Sequence, residues 1–241
     1  MKKERHEPTS PPPPKFELAV EHSLRTFVLP DDRTSSAWAD FQLAEPQSRR
    51  GRIPSRGDGA GSQWKLLCTA IAGGAGYGTI FEVTPDGALT PLHVFCAQTC
   101  ADGAVPYASL IQANNGDLYG TTLQGGKRSG SAHDGSGTVF KITTGGDLTT
   151  LHNFCAQSGC PDGSMPIGAL IQASDAEFYG TTSTGGANDN GGTIFRMSPN
   201  GELTTLYSFC SQSNCADGAH PNGNLAQDAA GNFYGTTVTG A

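Results

Sequence analysis

Gly-Thr-Ile-Phe, at residues 78–81, recurs as Gly-Thr-Val-Phe at residues 137–140 and as Gly-Thr-Ile-Phe at residues 192–195. A second stretch, Tyr-Gly-Thr-Thr, recurs in the same order and begins at residues 119, 179 and 234. The resulting period of 55–60 residues is too long for a single helix or strand. Each copy is therefore predicted to be one supersecondary unit that packs on its neighbours.

Each repeat has the sequence pattern of four β-strands. In the middle copy, residues 137–143 and 148–154 are rich in β-formers and flank a Gly-containing turn, which predicts a hairpin. Residues 169–173 and 177–182 predict a third and a fourth strand. Four antiparallel strands are the unit of a β-propeller blade. We therefore predict an all-β, β-propeller-like array of four-stranded antiparallel blades, with repeats at about residues 78–122, 137–182 and 192–237.

Aromatic residues recur at fixed positions of the repeat, and we predict that they form the core between blades. They are Phe81, Phe140 and Phe195 on the first strand, Phe95, Phe154 and Phe209 on the second, and Tyr119, Tyr179 and Tyr234 on the fourth.

Part of a degenerate repeat precedes the three repeats. Residues 67–70 align with residues 119–122, which predicts a remnant strand of a preceding blade. The array would then have about three blades and one remnant strand, whereas propellers close with ~4–8 blades. Three blades would leave two open sheet faces. We expect these faces to be covered by the N-terminal segment, by self-association, or by additional blades of a longer array of which this chain is a fragment.

Residues 1–65 differ from the rest of the chain and are predicted to be a disordered or weakly ordered segment before a repeat domain at residues 66–241. The repeats carry only four Lys and Arg, which excludes nucleic acid as a partner of that domain. No apolar run reaches the ~18 residues of a membrane span. The N-terminus also lacks a secretory signal, so the true N-terminus is expected to lie elsewhere.

Six of the seven cysteines form one pair in each repeat, and each pair precedes an Asp-Gly-x-x-Pro turn. Local disulfides are the simplest prediction, joining Cys96 to Cys100, Cys155 to Cys160, and Cys210 to Cys215. Zinc and free thiols are the alternatives, although three pairs would leave one pair without a partner in a four-thiolate site. Disulfides would place the folded region in an oxidising compartment. Cys68 is predicted to be unpaired.

The loops of the repeat divide into tight turns and two longer sets, and the two longer sets are predicted to emerge on one side of the array. A binding face is expected there. Its candidate residues differ from copy to copy and are Lys127, Arg128, His133, Asp134, Asn188, Asp189, Asn190 and His220.

Catalytic motifs are missing from the repeats, so no catalytic residue, metal site or cofactor is predicted. His93 and His152 occupy equivalent positions, but Tyr207 takes the third, which indicates packing. The Asp-containing runs at residues 134–137 and 189–191 lack the ligand spacing of a calcium loop and are predicted to be turns.

Together, Tyr-Gly-Thr-Thr, Gly-Gly, Gly-Thr-Ile-Phe, Asp-Gly-x-x-Pro and Leu-Ile-Gln-Ala resemble the GloVer-type (Gloeobacter/Verrucomicrobia-type) tandem repeat proteins of bacteria over residues 66–241. The resemblance implies a β-propeller-like array on an exported or surface-anchored protein. We expect a non-enzymatic extracellular or cell-surface module that binds a glycan or a protein through its long-loop face. The alternatives are a fragment of a propeller enzyme, such as a polysaccharide hydrolase or lyase, and a purely structural spacer.

Overall fold

The computed structural model describes residues 64–74, 76–127 and 135–240, together with two short strands at Phe16–Leu18 and Ile53–Pro54. These residues contain no α-helix, so the predicted all-β class is confirmed. No helix among them is long and apolar enough to cross a membrane. Most of the predicted N-terminal segment, residues 1–65, lies outside the described residues.

The strands are short, as expected for a chain with frequent Gly, Asn and Asp turns. In chain order they are β1 (Phe16–Leu18), β2 (Ile53–Pro54), β3 (Trp64–Ala70), β4 (Thr79–Val83), β5 (Leu89–Val94), β6 (Ile111–Gln112), β7 (Leu118–Thr122), β8 (Thr138–Ile142), β9 (Leu148–Asn153), β10 (Ile171–Gln172), β11 (Phe178–Thr182), β12 (Thr193–Met197), β13 (Leu203–Ser208), β14 (Ala219–Pro221), β15 (Ala226–Gln227), β16 (Phe233–Gly235) and β17 (Thr237–Thr239). Two 3₁₀ turns lie at Cys100–Asp102 and Ser213–Cys215.

Within the described residues, three sheets have four antiparallel strands each. The first sheet has the order β2-β3-β4-β5, the second β6-β7-β8-β9 and the third β10-β11-β12-β13. The C-terminal sheet contains β15 and β16, and β1 lies parallel to β16 at its edge. The short strand β14 pairs with β17. This array of successive four-stranded sheets is β-propeller-like, as predicted.

The grouping of strands into sheets differs from the prediction. Strand β7 ends the first repeat, yet it pairs with β8 of the second repeat, from Leu118 opposite Ile142 to Thr122 opposite Thr138. Each sheet therefore joins the last two strands of one repeat to the first two of the next, and the connection that carries the cysteines crosses between sheets. The period of the sequence repeat determines how many strands each repeat contains, but not which of them is the first strand of a sheet. The stretch predicted as a remnant strand, residues 67–70, belongs to β3 of a complete first sheet.

The hydrophobic core lies between successive sheets. Phe95 of the first sheet packs edge to face on Phe140 of the second at 5.3 Å, and Phe154 packs on Phe195 of the third in the same way. Tyr119 stacks on Phe178 with ring centres 4.2 Å apart. The predicted aromatic core between blades is thus confirmed, although one of its members, Tyr234, is only half-buried.

Candidate functional site

The two sets of long loops lie against each other along one edge of the array, as predicted. Short backbone bridges join Ala104 to Gln124 and Ser164 to Thr184. In addition, the Gly186 amide donates to the Cys160 carbonyl at 2.9 Å. We call this edge the loop edge; it comprises residues 96–106, 123–127, 155–166, 183–192 and 210–221.

Three disulfides pin the loop edge. The pairs are Cys96–Cys100, Cys155–Cys160 and Cys210–Cys215, with Cα–Cα distances of 4.1, 4.1 and 4.0 Å. The six thiols predicted to form bridges are therefore paired and are not available for the alternative zinc site. Among the residues that the structure describes, no group of three His, Cys, Asp or Glu side chains is placed to hold a metal ion. Disulfides are typical of an oxidising, extracellular environment.

The remaining cysteine, Cys68, is free and half-buried in β3. Burial raises the pKa of its thiol, which lowers the reactive thiolate fraction near neutral pH. The equivalent positions in β7 and β11 are occupied by Gly120 and Gly180. A Cβ added at either glycine would lie 2.6 Å from the buried Phe ring of the neighbouring strand.

An aspartate next to each disulfide organises the loop. The Asp162 carboxylate accepts hydrogen bonds from the Cys155 amide at 3.1 and 3.2 Å, and His152 Nε2 lies 2.9 Å from it. Asp102 and His93 repeat this contact at 2.9 Å. Each histidine ring also packs edge to face on the next aromatic residue of its strand. The histidines therefore take part in packing and in holding the aspartate, in line with the sequence prediction.

The third aspartate, Asp217, uses other partners because Tyr207 replaces histidine. Its carboxylate accepts hydrogen bonds from Tyr207 Oη at 2.6 Å, from the Ser211 amide at 2.9 Å and from the Gln212 amide at 3.1 Å. Burial alone would raise the pKa of Asp217, but these hydrogen bonds outweigh it and hold the pKa well below its ordinary range. Burial, followed by the hydrogen bond to Asp217, raises the pKa of Tyr207.

Replacing Tyr207 with Phe should therefore make the protein less stable, and more so at neutral than at acid pH. A carboxyl group with a lowered folded-state pKa stabilises the fold above its unfolded pKa of about 3.9, and this contribution is lost as the pH falls through the folded pKa. The lost bond to a charged group is expected to cost about 1.5–3 kcal/mol at pH 7. Urea unfolding of the wild type and the variant between neutral and acid pH should show that the difference in their free energies of unfolding narrows below about pH 4. A pH-independent difference would contradict the role assigned to Asp217.

Glycines in the Asp-Gly-x-x-Pro turns let the loops approach the sheets closely. Gly163 has φ of +94° and lies over Thr182 and Thr193, whose hydroxyls are 2.8 Å apart. Gly103 lies in the same way over Thr122 and Thr138. A side chain at either glycine would push the disulfide loop away from the sheet.

The residue before the proline of each turn has a fixed backbone but a different side chain in each repeat. Val105, Met165 and His220 have φ of 56°, 56° and 57°, in the left-handed region. Their amides each donate to a carbonyl of a neighbouring loop at 2.7–2.8 Å. Val105 packs against the first disulfide, whereas Met165 is 38% exposed. His220 Nδ1 lies 3.0 Å from the Ser183 carbonyl.

The structure brings some of the predicted binding residues together. Asn188 and Asp189 share a turn that the Gly191 amide closes onto the Asn188 carbonyl, and Gly191 in turn accepts from the His220 amide at 2.7 Å. Lys127 is exposed on the corresponding loop of the second sheet, where its amide donates to Asn153 Oδ1 at 2.9 Å. The predicted residues Arg128, His133 and Asp134 lie outside the described residues.

The turn at residues 188–191 is held by its own side chains. Asn188 Nδ2 donates to the Ser208 carbonyl at 3.0 Å, and Asn190 Oδ1 accepts from the Gly185 amide at 2.6 Å. Asp189 is exposed with φ of +37°. The run at residues 189–191 is thus a turn, as predicted.

Two features of the loop edge were not predicted from the sequence. One is the role of the aspartates, although the recurrence of Asp102, Asp162 and Asp217 at six or seven residues after the first cysteine of each pair was a visible signal. The other is the left-handed residue before each proline, for which the sequence contains no signal because Val and Met are unfavourable in that conformation.

Comparisons with solved structures find distant similarity. A protein provisionally titled a gluconolactonase is 15% identical with a TM-score of 0.43, covering 71% of this chain and 53% of the other. A luciferin-regenerating enzyme is 12% identical with a TM-score of 0.42, covering 74% and 52%. An endo-arabinase from Bacteroides thetaiotaomicron is 17% identical with a TM-score of 0.31, covering 71% and 64%. The chain thus spans from about half to less than two thirds of these structures.

The family comparison is more specific. No curated protein matches the sequence. The Gloeobacter/Verrucomicrobia repeat profile, however, matches residues 54–241, from the second residue of β2 to beyond β17. It begins upstream of the predicted domain boundary at residue 66. Because the match covers most of the chain and carries the motifs that repeat three times, the protein belongs to the Gloeobacter/Verrucomicrobia repeat family.

Proposed function

We propose that the protein is a non-enzymatic extracellular or cell-surface module that binds a glycan or a protein through the loop edge. One observation carries this proposal: every repeat builds its part of the edge with the same disulfide, aspartate and glycine, yet presents different side chains there. A constant scaffold with variable exposed residues is the arrangement by which rigid folds support binding loops.

The chemistry of the polar groups on the loop edge supports a polar ligand. Asn188 and Asp189 offer an amide and a carboxylate on one turn, and His220 is bonded to that same turn through Gly191. Lys127 adds a cation on the neighbouring loop. Arg128, His133 and Asp134 belong to the proposed face by sequence position. Hydrogen-bonding groups of both signs on a rigid surface fit sugar hydroxyls or a polar protein surface.

A binding screen tests the proposal. The full chain is applied to an array of bacterial and plant polysaccharides and to immobilised bacterial surface proteins. Binding to one of these probes is expected, and a variant with Lys127→Ala and Asp189→Ala should bind at least about tenfold more weakly, which is 1.4 kcal/mol. The control is Asn200→Ala, an exposed change in the β12–β13 turn at the opposite edge of the third sheet.

Three results would overturn the proposal: no binding to any probe, equal loss of binding in the Asn200→Ala control, or release of shortened sugars from a bound polysaccharide. The last result would favour an enzyme, and the first a structural spacer.

A further inference from the structure

The sequence contains four Asn-Gly pairs, which are Asn115-Gly116, Asn190-Gly191, Asn200-Gly201 and Asn222-Gly223. Asparagine is one of the chemically labile residues of proteins. When glycine follows it, the glycine nitrogen can attack the side-chain amide carbon, because glycine has no Cβ to hinder the approach. The fold decides which pair reacts, since the glycine nitrogen and the asparagine side chain must both be free to meet.

Three of the four pairs are held by hydrogen bonds that close tight turns. The amides of Gly116, Gly191 and Gly201 each donate to a carbonyl of their own turn at 2.9 Å, so these nitrogens are engaged. The Asn190 side chain is engaged as well, because its Oδ1 accepts a hydrogen bond from the Gly185 amide at 2.6 Å. At each of these pairs, attack on the side chain would first have to open the turn.

The fourth pair, Asn222-Gly223, lies in the connection between β14 and β15 and is held differently. Asn222 is exposed, and its side chain makes no hydrogen bond to a residue that the structure describes. Its main-chain amide donates to the Thr236 carbonyl at 3.3 Å, but the Gly223 amide donates to none of the described residues. Neither the attacking nitrogen nor the side chain is therefore fixed by the described part of the protein.

We propose that Asn222 is a site of spontaneous deamidation. The Gly223 amide gives up its proton to solvent, its nitrogen bonds to Asn222 Cγ, and the side-chain nitrogen leaves as ammonia, which forms a cyclic succinimide. Water then opens the ring at either carbonyl and gives aspartate or isoaspartate. Either product makes the net charge one unit more negative than −7. This inference goes beyond the proposed binding function and does not depend on it.

The isoaspartate product would alter a contact between the segments that lead into the third and C-terminal sheets. A Cβ at Gly168 would lie only 2.2 Å from the Gly223 carbonyl oxygen, so the two segments are close together. Asn224 Oδ1 accepts a hydrogen bond from the Ala169 amide at 2.7 Å. Isoaspartate lengthens the main chain just before this contact, whereas aspartate does not. The new carboxylate also follows His220 and Pro221 of the loop edge.

Peptide mapping of the full chain after incubation in mildly alkaline buffer tests the site. The peptide that contains Asn222 should gain the mass of an amide-to-acid conversion and separate into aspartate and isoaspartate forms. The other three Asn-Gly pairs should convert at least about tenfold more slowly, which corresponds to an additional barrier of about 1.4 kcal/mol. The control is the same chain, reduced and unfolded in urea, where all four pairs should convert at similar rates because the turns are lost.

Isoelectric focusing of two variants tests the assignment independently. Asn222→Ile removes the side-chain amide and introduces the residue that the second repeat has at the equivalent position, Ile167. The acidic species should be absent from this variant but persist in Asn200→Ala, which removes an exposed asparagine of another Asn-Gly pair. The proposal is overturned if Asn222 stays unmodified in the folded chain, if the turn pairs convert there as fast as Asn222, or if the acidic species persists in Asn222→Ile.

Discussion

Replacing Phe140 with Ala should lower the free energy of unfolding by about 3–5 kcal/mol, one of the two largest losses that we predict. Phe140 is fully buried and packs on Phe95 across the boundary between the first and second sheets. The substitution removes the ring from a junction that local strand pairing cannot replace. The surrounding backbone is fixed by β7 and β9 on either side, so the cavity cannot collapse easily.

Urea unfolding measures this loss, and two matched variants calibrate it. Phe195→Ala removes the equivalent ring, which packs on Phe154 at the same 5.3 Å, and should cost a similar amount. Val238→Ala changes a residue that is 58% exposed and should cost no more than about 0.5 kcal/mol. A loss below about 1 kcal/mol for Phe140→Ala would contradict a core located between the sheets.

Replacing Gly163 with Ala should cost about 2–4 kcal/mol, from steric overlap added to left-handed backbone strain. A Cβ at this position would overlap Thr182 Oγ1 and lie 2.6 Å from Thr193 Oγ1. Because the two hydroxyls hydrogen-bond each other under the loop, neither can move aside without losing its partner. The second disulfide loop would then have to lift from the third sheet.

Gly159→Ala is the control for the strain alone. Gly159 also has positive φ, at +81°, but nothing lies within 4 Å of an added Cβ. It should cost only about 1–2 kcal/mol, the strain expected for an L-residue in that conformation. Thermal and urea unfolding of both variants separate the two contributions. Equal losses would mean that the close approach of the loop to the threonine pair does not matter.

The strands and the core could be predicted because both depend on local patterns. The Gly-containing turns set the ends of β8 and β9, and the recurring Phe and Tyr residues are apolar wherever the strands lie. The assignment of strands to sheets could not be predicted, because β7 has the same sequence pattern whether it is the last strand of one sheet or the second strand of the next. The pairing of β7 with β8 in the structure, from Leu118 opposite Ile142 to Thr122 opposite Thr138, distinguishes these arrangements.

The candidate site was predictable to a similar extent. Disulfide partners within each repeat are four or five residues apart, so their pairing followed from spacing. The contact of His152 with Asp162 depends on how closely the disulfide loop folds back onto β9. The sequence does not indicate the distance between these two side chains. The left-handed conformation of Val105 was also hidden, because its neighbours in the fold impose a conformation that its own side chain disfavours.

Three conclusions depend on the three disulfides: the rigidity of the loop edge, the inference of an oxidising environment and the proposed binding function. The most direct test is the intact mass of the full chain after alkylation in denaturant without reductant, followed by peptide mapping. The structure predicts that one of the seven cysteines is modified, and that it is Cys68. Modification of all seven would contradict the pinned loop edge and the environment inferred from it.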